Sequence, residues 1–377
     1  MDVADVARAN APGVVKRTPG AEAQEWMFQT VGRELPPPHT MGAPAGDWLL
    51  IGADEPLAAT LERLGARVET APLADLEARL SKLGAKAALN VLVVAPAGAA
   101  AAFLPLRAAR GVRSGVAPTL WFVTRGAQSL EGRARINVDH AALWGAARVL
   151  SDERPELWGG LLDLPSTASA ADVRAAAVWL LDPKGEDLAA VHEGRVRVPR
   201  LAPVTDSRGS RFGWRADGAY LLTGGLGDVG LAVARAMVEE GARRLILMNR
   251  SGLPSRRKWA DIDPVTPVGE RIAAVRALES LGASIQCPAV DVADEAAVAA
   301  FLADYAAEGW PPIRGVVHLA GVLDRRLIGE TSQALFEAAV AGKLRGAQVP
   351  DRLLPDLECF ALFSSVTTLL PQTRVAP

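Results

Sequence analysis

The sequence is poor in the residues on which several kinds of chemistry depend. Tyrosine occurs twice in 377 residues, at Tyr220 and Tyr305, and all aromatics together make up 5%. Cysteine also occurs twice, at Cys287 and Cys359. Two thiols in a chain of this length form no disulfide framework and no multi-cysteine zinc site. The four histidines, His39, His140, His192 and His318, are scattered, and none stands at metal-ligand spacing. Neither sign of charge dominates: 41 basic against 43 acidic residues leave a net charge of -2. This excludes a nucleic-acid binder that works by neutralising phosphates. No apolar run approaches the roughly 18 residues that span a bilayer. The first residues, MDVADVARANAPGVVKR, lack the basic-then-apolar order of a secretory leader. The expectation is a cytoplasmic globular protein with no metal, nucleic-acid or membrane partner. Hydrophobic residues are abundant, at 50% with a mean hydropathy of +0.15. That is enough for sizeable cores, and the length suggests two domains.

Residues 1–46 read as a linker or docking arm. It is broken by Pro36-Pro37-Pro38 and by Gly42-Ala43-Pro44-Ala45-Gly46, with Glu25-Trp26-Met27-Phe28 as a short edge strand. From Asp47 onward, short apolar runs alternate with Ala/Leu/Arg/Glu stretches, the pattern of βαβ units around a parallel sheet. Strands are expected at 48–52, 66–69, 90–95, 120–124 and 160–164. A second set is expected at 219–223, 244–249, 284–288, 315–319 and 360–364. The two sets correspond in order. LLIGADEPLAATLERLGARVE follows the plan of YLLTGGLGDVGLAVARAMVEEGARRLILM, VLVVAPAG answers VVHLAGV, and LWFVTRGAQ answers LFSSVTT. The fold class expected is α/β, with two tandem Rossmann-like parallel-sheet subdomains over 47–205 and 216–377, joined through residues 200–218.

The copies differ where a ligand would sit. The first turn of copy one, Gly52-Ala53-Asp54-Glu55-Pro56, places two carboxylates at a helix N-terminus, which suits the helix dipole but repels an anion. Copy one is expected to be structural. Copy two reads Thr223-Gly224-Gly225-Leu226-Gly227-Asp228-Val229-Gly230 directly after a strand and before a helix. Gly225, Gly227 and Gly230 satisfy G-x-G-x-x-G. The first allows the tight turn, the second lets the backbone approach a pyrophosphate, and the third permits close helix–strand packing. The next strand ends in Asn249-Arg250-Ser251, where an NAD-preferring site would place an acid. A guanidinium and a hydroxyl there suit a 2′-phosphate, so the cofactor expected is NADPH. Asp291 and Val292 fall at the adenine edge, and Leu319, Ala320 and Gly321 at the nicotinamide ribose.

With Lys343, Phe363-Ser364-Ser365 and the His318-to-Asp324 segment, these motifs resemble the ketoreductase (β-ketoacyl reductase) domain of modular polyketide synthases, within the short-chain dehydrogenase/reductase superfamily. The resemblance runs from about Glu25 onward and includes Leu143-Trp-Gly-Ala-Ala-Arg148 and Val198-Pro-Arg-Leu201 in the structural half. It implies a degenerate structural half beside an NADP-binding catalytic half. The implied reaction is NADPH-dependent reduction of a β-keto group on an acyl thioester. That acyl chain would hang from the phosphopantetheine arm of an acyl carrier protein, among neighbouring polyketide synthase domains. It also implies that Ser365 holds the carbonyl oxygen and that Lys343 supports a proton-donating tyrosine and the ribose.

Two departures from the family pattern follow. B-type members carry Leu-Asp-Asp, and here the segment is Leu323-Asp324-Arg325. The tyrosine, expected roughly a dozen residues after the serine by motif spacing, does not occur in Val366 to Pro377. Tyr220 and Tyr305 lie upstream of the serine, so neither is placed to replace it. Three readings stay open at this level: a reductase cut short, a scaffold without the reaction, and a split enzyme whose tyrosine lies outside this chain. The basic runs Arg243-Arg244 and Arg256-Arg257-Lys258 suit either an acidic carrier protein or a solvated loop.

Overall fold

The computed structural model describes residues 28–36, 46–83, 89–113, 115, 117–129, 136–204, 212–321, 326–370 and 372. The chain divides into two compact units. Among the described residues, the first holds 28–102, 112–144 and 158–204, and the second holds 103–111, 145–157 and 212–372.

The first unit is built on an eight-stranded sheet. Its strands are β1 (Phe28–Glu34), β2 (Asp47–Ile51), β3 (Arg67–Ala71), β4 (Leu89–Val94), β5 (Thr119–Arg125), β6 (Trp158–Leu164), β7 (Leu188–His192) and β8 (Arg195–Pro203). They lie in the order β1-β8-β7-β6-β5-β4-β2-β3. Strands β2 to β7 pair in parallel, and β8 runs antiparallel to both β7 and β1. The central strands β4 and β5 are buried along most of their length, so they read as continuous apolar runs rather than alternating ones. The helices of this part of the chain are α1 (Glu55–Arg63), α2 (Leu76–Ser81), α3 (Leu104–Gly111), α4 (Val138–Glu153) and α5 (Ala170–Leu181). Helix α3 and α4 from Gly145 onward belong to the second unit. Ser169 caps α5 in a reciprocal box with Asp172, and the same carboxylate accepts the Gly194 N–H at 2.8 Å. Trp48, Trp121 and Trp179 meet in the core with Leu50, Leu57 and Leu61.

The second unit carries five parallel strands, β9 (Ala219–Thr223), β10 (Arg244–Met248), β11 (Ser284–Gln286), β12 (Ile313–His318) and β13 (Cys359–Leu362), ordered β11-β10-β9-β12-β13. Its further helices are α6 (Asp228–Glu239), α7 (Pro267–Ser280), α8 (Glu295–Ala307), α9 (Gln333–Val340) and α10 (Gly346–Leu353). A single π-turn, Ala341–Arg345, joins the last two. Alternation along β9 sends Tyr220 and Leu222 into one core layer, and Ala219 and Leu221 into the other. Thr266 and Asp294 cap α7 and α8 through the Gly269 and Ala297 amides.

All ten strands expected from the sequence are present, shifted by at most a few residues at their ends. The run β3-β2-β4-β5 repeats as β10-β9-β12-β13, so VLVVAPAG and VVHLAGV hold equivalent places. The chain is thus α/β with two Rossmann-like parallel-sheet subdomains. Two strands were not expected, and a third, β1, lies further along the chain than the edge strand read at 25–28. β7 and β8 form a hairpin closed by Glu193 and Gly194, with φ of 52° and 71°. β1 adds to the outer edge of β8, so Phe28–Glu34 of the segment read as an arm is part of the sheet, while 25–27 lie outside the described residues.

Candidate functional site

In open parallel sheets ligands bind beyond the carboxyl ends of the strands, where neighbouring crossovers diverge. The second unit brings the sequence-derived residues to that edge. β9 ends in Thr223, and Gly224 turns with φ of +69°, its amide donating to the Met248 carbonyl of β10 at 2.8 Å. A Cβ on Gly225 would lie 2.9 Å from the Leu247 Cα, and one on Gly230 would lie 2.6 Å from the Gly224 oxygen and 2.7 Å from the Gly225 Cα. These two glycines are required by packing. Gly227 is different: a Cβ there would meet only the Gly224 oxygen, at 3.3 Å. Gly227 also caps α6 with no side-chain hydrogen bond, so no capping side chain takes up the first amides of that helix, whose first turn begins with Asp228. Leu226 is buried below the turn, and Val229 is exposed on the helix.

The equivalent place in the first unit is filled. Asp54 caps α1 by accepting the Leu57 amide at 3.2 Å, and its other oxygen takes the Arg125 guanidinium at 2.6 Å. Its side chain is wholly buried. The protein's own carboxylate sits where a ligand phosphate would need to be. Behind it, buried Asp163 accepts from Thr124, Ala127 and Gln128, and burial pushes its carboxyl above the usual range. This half has a polar network that is already satisfied.

At the end of β10, the Asn249 amide donates to the Pro288 carbonyl at 3.2 Å, and its oxygen accepts from Val290 at 3.0 Å. This holds Arg250 and Ser251 exposed at the strand end, with Arg250 in no hydrogen bond or ion pair among the described residues. Of the adenine-edge pair, Asp291 is exposed and accepts the Ala293 amide, while the Val292 side chain goes into the core. Leu319 donates to the Thr223 carbonyl at 3.0 Å, and the Ala320 amide to the Thr223 hydroxyl at 3.3 Å. A Cβ on Gly321 would meet the Lys343 Cε at 3.2 Å, so the lysine stem lies along the Leu319-Ala320-Gly321 turn. Neighbouring protein strips water from the Lys343 ammonium and lowers its pKa from the ordinary lysine value.

Ser365 is exposed just past β13, and its hydroxyl accepts the Thr367 amide at 3.2 Å. It follows Phe363, whose amide donates to the His318 carbonyl at 3.0 Å. The sequence did not single out His318 as a site residue. It is buried, with Nδ1 2.6 Å from the Thr223 Oγ1 and Nε2 3.0 Å from the Lys343 carbonyl. The available signal was a polar residue closing an apolar strand in register with Thr223 on the neighbouring one. A second omission is Arg148 of α4, which bonds the Thr368 and Leu369 carbonyls just after Ser365.

The tyrosines are accounted for. Tyr220 is fully buried, and its hydroxyl accepts the Arg215 amide at 2.7 Å. Tyr305 is buried and donates to the Pro311 carbonyl at 2.8 Å. Arg256 is engaged with Glu279 and the Ile285 carbonyl and stacks over Trp259, so that basic run is partly committed to its own fold. Leu323-Asp324-Arg325 lie outside the described residues. Among the described residues, no helix is long and apolar enough to cross a membrane, and no cluster of three His, Cys, Asp or Glu could hold a metal.

Comparison with known proteins follows this division. The "KR domain" family model matches residues 218–376, and that of the "Polyketide synthase extender module SpnB, Rossmann fold domain" matches residues 30–201. The chain is 40% identical over 251 residues to the 5-methyl-1-naphthoate synthase of Streptomyces sahachiroi, covering 66% of this chain and 14% of that protein. It is 32% identical over 363 residues to erythronolide synthase EryA3 of Saccharopolyspora erythraea, covering 91% of this chain and 11% of that one. These relatives are multidomain polyketide synthases, of which the chain spans a small part. Among solved structures, the ketoreductase from the first module of phoslactomycin biosynthesis in Streptomyces sp. HK803 superposes with a TM-score of 0.74 at 31% identity. That match covers 93% of this chain and 74% of the other. Both halves of the sequence, and the fold they share, therefore place the chain in the ketoreductase family of polyketide synthases, whose members are NAD(P)H-binding oxidoreductases of the short-chain dehydrogenase/reductase superfamily.

Proposed function

We propose that this chain binds NADPH as the cofactor-bearing body of a polyketide synthase ketoreductase, which reduces the β-keto group of a carrier-bound acyl thioester to a hydroxyl. The observation that carries the proposal is the contrast between the two helix N-termini. α6 begins at Gly227 with no side-chain cap and room for close approach, whereas α1 is closed by Asp54. The residues present fit a dinucleotide. Gly224, Gly225, Leu226, Gly227, Val229 and Gly230 form the cradle for its pyrophosphate, with Thr223 beneath. Asn249 sets the turn from which Arg250 and Ser251 meet the 2′-phosphate. Asp291 and the backbone at Val292 border the adenine, and Leu319, Ala320 and Gly321 border the nicotinamide ribose. When bound, the reduced nicotinamide supplies a hydride to the keto carbon. Ser365 accepts an amide with its oxygen, which leaves its own proton free to donate to the substrate carbonyl. Lys343 brings a positive charge to the ribose side.

The phenol that would protonate the alkoxide is neither Tyr220 nor Tyr305, both buried and hydrogen-bonded. The 377-residue polypeptide is therefore expected to bind NADPH but to turn over a β-ketoacyl thioester poorly or not at all. A second reading is a non-catalytic scaffold that holds NADPH among its neighbouring domains. A split enzyme completed by another segment predicts the same behaviour of these residues alone. The partner implied is an acyl carrier protein presenting the substrate on phosphopantetheine.

Titration with NADPH and NADH, followed by nicotinamide fluorescence, tests the proposal. NADPH should bind more tightly. Arg250→Gln should erase roughly 10- to 100-fold of that preference, the equivalent of one charge-assisted contact. Equal affinity for both cofactors, or an unaltered preference in Arg250→Gln, would sink the cofactor assignment. Robust turnover by the 377-residue polypeptide would refute the tyrosine reasoning.

A further inference from the structure

Lys343 lies on a π-turn, Ala341–Arg345, between α9 and α10. Such single π-turns inside helices are rare and are frequently found at functional sites. His318 is in reach of it. Its Nε2 lies 3.0 Å from the Lys343 carbonyl, and its Nδ1 lies 2.6 Å from the Thr223 hydroxyl. A carbonyl cannot donate, so the proton must be on Nε2. Nδ1 is then an acceptor and takes the Thr223 hydroxyl proton. The Thr223 oxygen in turn accepts the Ala320 amide at 3.3 Å. The bonds run one way: Ala320 N–H to Thr223 Oγ1, Thr223 O–H to His318 Nδ1, and His318 Nε2–H to the Lys343 carbonyl.

The start of α10 packs closely against the ring. A Cβ on Gly346, the first residue of α10, would meet the His318 Cε1 at 2.9 Å and the Val292 Cγ1 at 2.8 Å. Register supplies the other side: His318 pairs with Thr223 across β12 and β9. The chain thus ties together the end of the strand that enters the glycine turn, the Leu319-Ala320-Gly321 turn and the backbone of Lys343.

We propose that His318 is a positioning residue for Lys343. In its Nε2–H tautomer it fixes the lysine's π-turn to the strand end that carries the dinucleotide turn, so that the ammonium meets the nicotinamide ribose in a set place. This inference rests on the proposed role of Lys343 toward NADPH. It assigns His318 no contact with cofactor or substrate.

The test uses the full chain and the variants His318→Leu, Thr223→Val and Thr223→Ser. The first removes both ring bonds. The second removes the hydroxyl link without touching the histidine, and the third restores it. Nitrogen NMR of His318 should show a bare Nδ1 and a protonated Nε2 in the unsubstituted chain. Acylation of Lys343 by an amine-reactive reagent, followed by mass spectrometry against pH with exposed Lys258 as internal reference, reports its titration. In His318→Leu and in Thr223→Val, Lys343 should titrate closer to the ordinary lysine value, and NADPH should bind roughly tenfold more weakly, as expected for one lost hydrogen bond. Thr223→Ser should return both readouts toward the unsubstituted chain. If His318→Leu does not fold, the two threonine variants decide the matter. A protonated Nδ1, or a Lys343 profile unchanged in both His318→Leu and Thr223→Val, would overturn the proposal. Absence of NADPH binding by the unsubstituted chain would instead remove the cofactor reading, while the tautomer and the lysine titration would still report on the hydrogen-bond chain.

Discussion

Replacing Asp54 by alanine would separate the stability of the first unit from the cofactor site of the second. The side chain is wholly buried, caps α1 at the Leu57 amide and holds Arg125, whose own side chain is only 30% exposed. Loss of an N-cap costs about 1 kcal/mol. Loss of a charge-assisted hydrogen bond, with a guanidinium left short of a partner, costs about 1.5–3 kcal/mol. The sum is about 3 kcal/mol, or roughly 6–12 °C in melting temperature for a body of this size. Asp54→Asn keeps an oxygen for the cap and loses the ionic half, so it should fall between the two. Urea and thermal melts followed by tryptophan fluorescence report on it, because Trp48, Trp121, Trp144 and Trp179 are all buried in this unit. NADPH affinity, measured on the same samples below the transition, should not move. A cost under about 1 kcal/mol would refute the view that this carboxylate closes the site as a structural element. A tenfold change in NADPH affinity would refute the view that this half takes no part in binding.

Four further outcomes are expected. Gly230→Ala should lower stability by about 1–3 kcal/mol, because its Cβ meets backbone at 2.6 and 2.7 Å, and thermal melts would show it. Gly227→Ala should instead fold normally and weaken NADPH binding in fluorescence titration. Acid should destabilise the second unit in part through His318. Burial holds its pKa below the ordinary value, so the neutral ring contributes stability that is present above about pH 6.5 and lost as pH falls below it. Melts at pH 7.5 and 5.5 should therefore differ less in His318→Leu than in the unsubstituted chain. Arg148→Met should speed amide exchange at residues 366–370 by roughly tenfold or more, because two carbonyls lose a charged donor, while exchange in α6 stays unchanged.

The strands that could be found from sequence were the parallel ones, because burial on both faces leaves a continuous apolar run such as Val91 to Val94 or Leu120 to Val123. The hairpin of β7 and β8 escaped because its turn uses Glu193 at positive φ, where asparagine or glycine is the usual signal. The turn is held from outside by Asp172 of α5, through the Gly194 amide. β1 is exposed along its whole length and so carries no burial pattern to read. The site divides in the same way. The glycine turn and Asn249-Arg250-Ser251 announce themselves, since local backbone geometry forces their residue types. Arg148 does not, because it reaches a turn about 220 residues later in the chain.

Local covalent sequence was sufficient for the α/β alternation, the doubling of the chain, the intact turn at Gly224 to Gly230 and the acidic one at Asp54. Each depends on the conformational preference of a few consecutive residues, and such preferences act without knowledge of the rest of the fold. Folding in three dimensions settled which groups face one another. Asp54 finds Arg125, Tyr220 and Tyr305 are drawn into cores away from the strand ends, and His318 comes to lie between Thr223 and Lys343. These are pairings over long sequence separations. They are fixed by strand register and helix packing, and no window of neighbouring residues contains them.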